Sequence, residues 1–190
     1  MRRESFAFAR ELRDRGAHLP VSVNVTAPDL ARADFMDRFD ADLHDAGLDS
    51  SHVTVEVTET IFDDCCGLAV KTIARLAETG AQVQIDDFGK GFSSHGLLPC
   101  NSFTGVKIDL RFAGDPMRDE KAKAIVTSLI QLGTQLGLTV TLEGIENEGE
   151  REFALRCGVD RVQGFLYARP MYRAQALEML WRPKLASVAS

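Results

Sequence analysis

The stretch Gln82-Val83-Gln84-Ile85-Asp86-Asp87-Phe88-Gly89-Lys90 decides the fold. Its first five residues alternate apolar and polar, which predicts a strand over 82–86. The strand ends in two adjacent carboxylates and then enters a loop containing Gly89, Gly91, Ser93 and Ser94. Neighbouring carboxylates repel each other unless cations neutralise them. A strand that ends this way leads to a charged site.

The segments on either side repeat the design. Further strands are predicted over 21–25, 52–56, 105–108, 138–142 and 161–163. Helices are predicted over 4–15, 28–47, 62–79, 150–156 and 172–181. Another precedes residue 138 and carries Ile125, Leu129, Leu132 and Leu136 on one face. Strand–helix alternation without hairpin turns means parallel pairing through right-handed crossovers. Such a strand count suits either a doubly wound sheet or an incomplete (β/α)8 barrel.

The polar residues choose between the two. Asn24, Glu56, Asp86 with Asp87, Lys107 with Asp109, and Glu143 with Glu146 stand at the carboxyl ends of successive strands, and Gln163 is on the last. Period-two alternation puts Ser22 with Asn24, Thr54 with Glu56, and Thr141 with Glu143 on matching faces. Polar residues repeated at the carboxyl ends of parallel strands describe the mouth of a barrel. An open α/β sheet would be lined this way only at its switch point. The predicted class is α/β, a (β/α)8 TIM-like barrel that is incomplete, with about six of eight strands. Singly, each polar residue has an ordinary reading: a helix cap or turn for Asp, an edge strand for Lys107, a satisfied buried amide for Asn24. Those readings need the same coincidence on every strand, and a shared site does not.

Composition narrows the partners. The 190-residue chain has a formal net charge of -6, which disfavours a long nucleic acid. A small anionic ligand remains compatible, because bound cations invert the local field. Cys65, Cys66, Cys100 and Cys157 form neither a CxxC pair nor a Cys/His cluster, so reduced thiols and a cytoplasmic location are expected. The apolar run at Phe6–Ala9 is too short for a signal peptide, and no stretch approaches the ~20 apolar residues of a membrane span. Residues 183–190 are expected to be a disordered tail.

Carboxylates with an Asn carbonyl are hard oxygen donors, suited to Mg²⁺ or Mn²⁺ rather than zinc. Several around one mouth suggest two ions ~3.5–4 Å apart, which activate a water and stabilise the leaving oxygen of a phosphodiester. Lys107, set among acids, would stay charged and orient that water or neutralise charge on the phosphate.

These segments, in this order, resemble the EAL domain family. Ser22-Val23-Asn24-Val25-Thr26 is similar to its Asn-bearing strand and Glu56-Val57-Thr58-Glu59 to its ExTE motif. The run from Asp86 to Ser94 resembles its DDFGTGYSS loop, and Val106-Lys107-Ile108-Asp109 its KID segment. Glu143-Gly144-Ile145-Glu146 resembles EGVE, and Gln163-Gly164-Phe165-Leu166-Tyr167 resembles QGYLF. The resemblance covers residues 4–171 and implies a partial EAL domain over 1–182. It implies hydrolysis of cyclic-di-GMP to linear pGpG with two Mg²⁺ or Mn²⁺ ions. Asn24 and Glu56 would then ligate the first ion, Asp86 would bridge both, and Asp87 would hold the second. Glu143 would sit at the second ion or act as general base, and Lys107 would contact the water. Asp109, Glu146 and Gln163 would complete the polar shell, and Glu59 would brace the loop after Asp87.

Three departures accompany the resemblance. The motif that names the family, with a metal-ligating Glu and a phosphate-contacting Arg, is absent and is expected upstream of Met1 on a strand outside this chain. Lys90 stands where the family has a small Thr or Ala, which bears on loop closure and dimer packing. Thr104 stands where the family usually has an Asp three residues before the Lys, which is expected to weaken one polar contact near the site. The partners implied are cyclic-di-GMP, a second copy in a homodimer or other self-association, and sensor or GGDEF-type domains upstream. The alternative is an impaired EAL-like domain serving as a cyclic-di-GMP receptor or as a protein-interaction module.

Overall fold

The computed structural model describes residues 2–59, 67–90 and 102–181. Gly91, Ser93, Ser94, the tail 183–190 and every cysteine but Cys157 lie outside the described residues. Strands β1 (Val21–Asn24), β2 (Val53–Thr58), β3 (Gln82–Asp86), β4 (Gly105–Asp109), β5 (Thr139–Glu143) and β6 (Arg161–Gln163) pair in chain order. Every pairing is parallel. The helices are α1 (Arg2–Asp14), α2 (Ala27–Leu30), α3 (Phe35–Asp45), α4 (Leu68–Glu78), α5 (Glu120–Gln135), α6 (Glu148–Cys157) and α7 (Arg173–Trp181). The sheet curls into a half-barrel, which leaves β1 and β6 as edges.

The two faces of the sheet differ in chemistry. Val55, Val83, Ile85, Val106, Ile108, Val140 and Leu142 are all buried, and they form the apolar layer on which the helices pack. Their neighbours in sequence, offset by one, are Thr54, Glu56, Gln84, Lys107 and Thr141, which are buried polar residues on the other face. Such a lumen is filled by polar side chains that must satisfy one another. On the outer layer, Phe6 of α1 meets Phe39 of α3 edge-on at 5.7 Å, and Phe35 stacks on Phe39 at 5.9 Å.

Two helical expectations are corrected. The helix predicted over 28–47 is two helices. Thr26 caps α2 in a capping box with Asp29, and the Thr72 hydroxyl donates to the Leu30 carbonyl at 2.9 Å, so α2 ends after a single turn. Asp34 begins α3, held by Arg32 and Arg38. On α5 the buried face is Ala122, Val126, Ile130 and Gly133, while Ile125 and Leu136 are exposed and Leu129 and Leu132 are only partly buried. At Gly133 there is no room for a side chain between helix and sheet. A Cβ on Gly133 would lie 2.8 Å from Val140 Cγ2 and 3.1 Å from Val106 Cγ2.

Candidate active site

The carboxyl ends of the strands gather the polar residues in register. Asn24 stands opposite Glu56, Thr58 opposite Asp86, Asp109 opposite Glu143, and Glu143 opposite Gln163. Lys107 rises into the middle of this mouth. Its Nζ lies 2.8 Å from Glu143 Oε1, 3.0 Å from Glu56 Oε2 and 3.5 Å from Asp86 Oδ1. The Lys107 side chain is 7% exposed and that of Glu56 8%. Burial disfavours the ammonium, but the Glu143 and Glu56 carboxylates outweigh it and hold the Lys107 pKa above its ordinary value. Burial pushes the Glu143 carboxyl up, and although Lys107 opposes that shift, Asp86 and Glu56 add to it. One ammonium shared among three carboxylates leaves each of them incompletely neutralised.

The turn after β3 is fixed from several directions. Asp87 has φ 58°, the left-handed region that Asp tolerates better than most residues, and its N–H donates to Asp86 Oδ1 at 3.0 Å. Phe88 is buried, and its N–H donates to the Lys107 carbonyl at 3.0 Å. Gly89, at φ 98°, lies against Leu129, where a Cβ would come within 2.6 Å of Cδ1. Its N–H donates at 3.0 Å to Oε2 of Glu59, which is buried at the end of β2.

A second cluster lies beside the first. Lys90 Nζ is 2.8 Å from Asp87 Oδ1 and 3.0 Å from Asp109 Oδ2. These bonds, first with Asp87 and then with Asp109, raise the Lys90 pKa above its ordinary value. Burial pushes the Asp109 carboxyl up, but the Arg111 N–H and the Lys90 charge outweigh it and hold the group low. Asn24 and Gln163 are exposed on their edge strands, and Glu146 is exposed in the loop after β5. Asn24 lines an open cavity of about 700 Å³ with Arg3, Thr26, Asp29, Arg32 and Arg38. Thr104 is not near the mouth: it stands at the amino end of β4, where its backbone and hydroxyl bond Val83.

Sequence reasoning missed Arg111 and Glu150. Arg111 Nη1 donates to the Gly144 carbonyl at 2.6 Å and its Nη2 pairs with buried Glu150. Glu150 Oε2 in turn accepts from the Glu146 N–H at 2.6 Å. The pair thus fixes the turn that follows Glu143. The signal for Glu150 was the Asn147…Glu150 cap spacing at the start of α6. Arg111 carries no such local signal.

The donor set fits divalent cations: the mouth holds Glu56, Asp86, Asp87, Asp109 and Glu143 against only two ammonium groups. In the geometry described, the first cluster converges on Lys107 Nζ, and among the described residues no three His, Cys, Asp or Glu side chains are arranged by themselves to hold a metal.

Fold and site together define a parallel β/α-barrel protein with a carboxylate–lysine mouth. The chain belongs to the EAL domain family, which it matches over residues 1–170. It is 32% identical over 159 residues to the cyclic di-GMP phosphodiesterase PdeR of Escherichia coli, covering 84% of this chain and 24% of PdeR. It is 34% identical over 157 residues to MucR of Pseudomonas aeruginosa, a bifunctional diguanylate cyclase/cyclic di-GMP phosphodiesterase, covering 83% of this chain and 23% of MucR. The PaMucR phosphodiesterase in complex with c-di-GMP superposes with a TM-score of 0.85 at 32% identity, over 92% of this chain and 71% of that one. Klebsiella pneumoniae BlrP1, solved with manganese and cy-diGMP, superposes at 0.77 with 30% identity, over 90% of this chain and 44% of that one. The chain spans roughly a fifth to a quarter of the length of curated relatives such as these two. Among the described residues, no helix is long and apolar enough to cross a membrane.

Proposed function

We propose that this chain forms the catalytic mouth of a cyclic-di-GMP phosphodiesterase that opens one phosphodiester to give linear pGpG. The observation that carries the reading is Lys107, buried and ion-paired with Glu56, Asp86 and Glu143 on the lumen face of a family barrel. Asn24, Glu56, Asp86, Asp87 and Glu143 would hold two divalent cations, Mg²⁺ or Mn²⁺, whose Lewis acidity would acidify the attacking water and draw charge from the phosphate. Lys107, kept charged by its neighbours, donates toward the attacking water and offsets negative charge as it develops on the phosphoryl oxygens. A Glu143 oxygen accepts the proton that the water loses. Glu59, through the Gly89 N–H, and Arg111, through Gly144, keep the Asp87 and Glu143 turns in place. Asp109, Glu146 and Gln163 belong to the surrounding polar shell. The reading places the domain in the cytoplasm, in a longer polypeptide with sensor or GGDEF-type partners, working as a homodimer.

The test follows pGpG release from cyclic-di-GMP by a polypeptide in which this chain is part of a complete eight-strand barrel. Turnover should require Mg²⁺ or Mn²⁺, stop on chelation, and vanish in Asp86→Asn. Nucleotide binding without turnover would make the domain a receptor, and neither binding nor turnover would end the nucleotide reading.

A further inference from the structure

Two lysines divide the acids of the mouth, and they differ in how firmly they are held. Lys107 is enclosed, with a side chain 7% exposed between three carboxylates. Lys90 is open to solvent, with a side chain 40% exposed, and it bridges Asp87 and Asp109. The backbone of Asp87 stays in place if the lysine moves. That left-handed turn is pinned by the buried ring of Phe88 and by the Phe88 N–H to Lys107 carbonyl bond. The mobile partner is therefore the lysine, on its flexible four-carbon stem. A Lys90 that swings outward regains water, whereas a displaced Lys107 has no such route.

We propose that Lys90 is a tethered cation that competes with a divalent ion for Asp87. This rests on the metal reading above and adds what that reading lacks, an asymmetry between the two ion positions. An ion arriving at Asp87 must break the 2.8 Å contact with Lys90 Nζ and then share the neighbourhood with its charge. An ion near Glu56, Asp86 and Glu143 meets a different situation, because the enclosed Lys107 ammonium stays beside it and is not displaced. The ion at Asp87 consequently binds more weakly than it would without Lys90, and its affinity is set in part by a residue that donates nothing to the metal.

The test is a Mn²⁺ titration of the metal-free polypeptide in which this chain is part of a complete barrel, with free Mn²⁺ followed by electron paramagnetic resonance. Lys90→Thr and Lys90→Met both remove the charge, and the methionine keeps most of the length. In both, the ion at Asp87 should bind about tenfold more tightly, the size expected when one charged hydrogen bond no longer has to be broken. Lys90→Arg should match the parent. A second readout is the melting temperature. Without metal, the Thr and Met variants should melt lower than the parent, because Asp87 and Asp109 lose their shared cation, and Mn²⁺ should raise their melting temperature further than it raises the parent's. Variants that bind Mn²⁺ as the parent does would overturn the proposal and leave the metal reading intact. Tightening in the Thr variant alone would trace the effect to space, not charge, and would also overturn it. No Mn²⁺ bound by any of the proteins would overturn the metal reading with it.

Discussion

Lys107 shows how a single residue can be both a structural necessity and a chemical tool. Its ammonium offsets three carboxylates, two of which it contacts within 3.0 Å. Removing one partner of a buried ion pair costs about 3–5 kcal/mol, because the remaining charge stays buried without its counter-ion. Lys107→Met should therefore lower the unfolding free energy of the metal-free chain by about 3 kcal/mol in urea titrations. Millimolar Mn²⁺ should restore part of that loss, since a divalent ion can take the place of the missing charge among Glu56, Asp86 and Glu143. In a complete barrel the same substitution should lower kcat by about 10²–10³, with a smaller change in KM. Unchanged stability would mean that the three acids do not depend on the ammonium, and unchanged kcat would remove Lys107 from the chemistry. Gly89 makes a separate case. Its φ of 98° strains any residue with a side chain, and the added methyl would force Leu129 Cδ1, 2.6 Å away, to shift, so Gly89→Ala should destabilise by about 1–3 kcal/mol.

At the scale of elements, α5 separates what sequence can say from what packing decides. The helix was legible from its periodicity, but of the four residues on its predicted face Ile125 and Leu136 proved to be exposed, and Leu129 and Leu132 only partly buried. The sheet is met by Ala122, Val126, Ile130 and Gly133, and at Gly133 the helix approaches the strands too closely for a side chain. The predicted stripe is rotated from the buried face, and the close approach of Gly133 to Val106 and Val140 marks where the helix meets the sheet. Ile130→Ala should accordingly cost about 2–5 kcal/mol, while Ile125→Ala should stay within about 1 kcal/mol. Gly133→Ala sets two effects against each other: alanine favours the helix by about 1 kcal/mol, and overpacking against two buried valines costs about 1–3 kcal/mol. Thermal or urea melts should show a net loss. A stabilised Gly133→Ala protein would mean that the valines yield more readily than their burial suggests. The mouth was easier to read than the helix, for a physical reason. Acids and a lysine at strand ends are too costly to bury by chance, so their sequence positions already mark the lumen. The pairing of Lys90 with Asp109 and of Arg111 with Glu150 was not legible. Those partners are 19 and 39 residues apart, and only the completed turns bring them together.

On the scale of the whole molecule, the curled sheet leaves an opening between β1 and β6, and its first and last helices meet. Arg173 of α7 donates to Glu11 of α1 through Nε at 3.0 Å and to the Ala7 carbonyl at 3.3 Å, and the Arg15 guanidinium lies 5.4 Å from the Trp181 ring centroid. This contact joins helices; it does not supply strands. The Arg173 side chain is 49% exposed, and an ion pair in such a position contributes about 0–1 kcal/mol. Among the described residues each edge strand pairs with another strand on one side only, and Ser22 and Asn24 on β1 and Arg161 and Gln163 on β6 are exposed. Phe165, Tyr167 and Tyr172, just beyond β6, are exposed too. Unprotected edges of this kind recruit other strands, and an inward-pointing charge on an edge strand is a recognised way to prevent it. The 190-residue chain by itself should therefore self-associate at micromolar concentrations and show little or no phosphodiesterase activity, as measured by light scattering after size exclusion and by pGpG release. Ser22→Lys should shift it toward the monomer, because the substitution charges the lumen face of β1 without touching the helix-packed Val23. A chain that is monomeric and fully active without the change would show that α1 and α7 close the barrel well enough on their own. An unchanged oligomer in Ser22→Lys would move the association away from the β1 edge and toward the aromatic residues after β6.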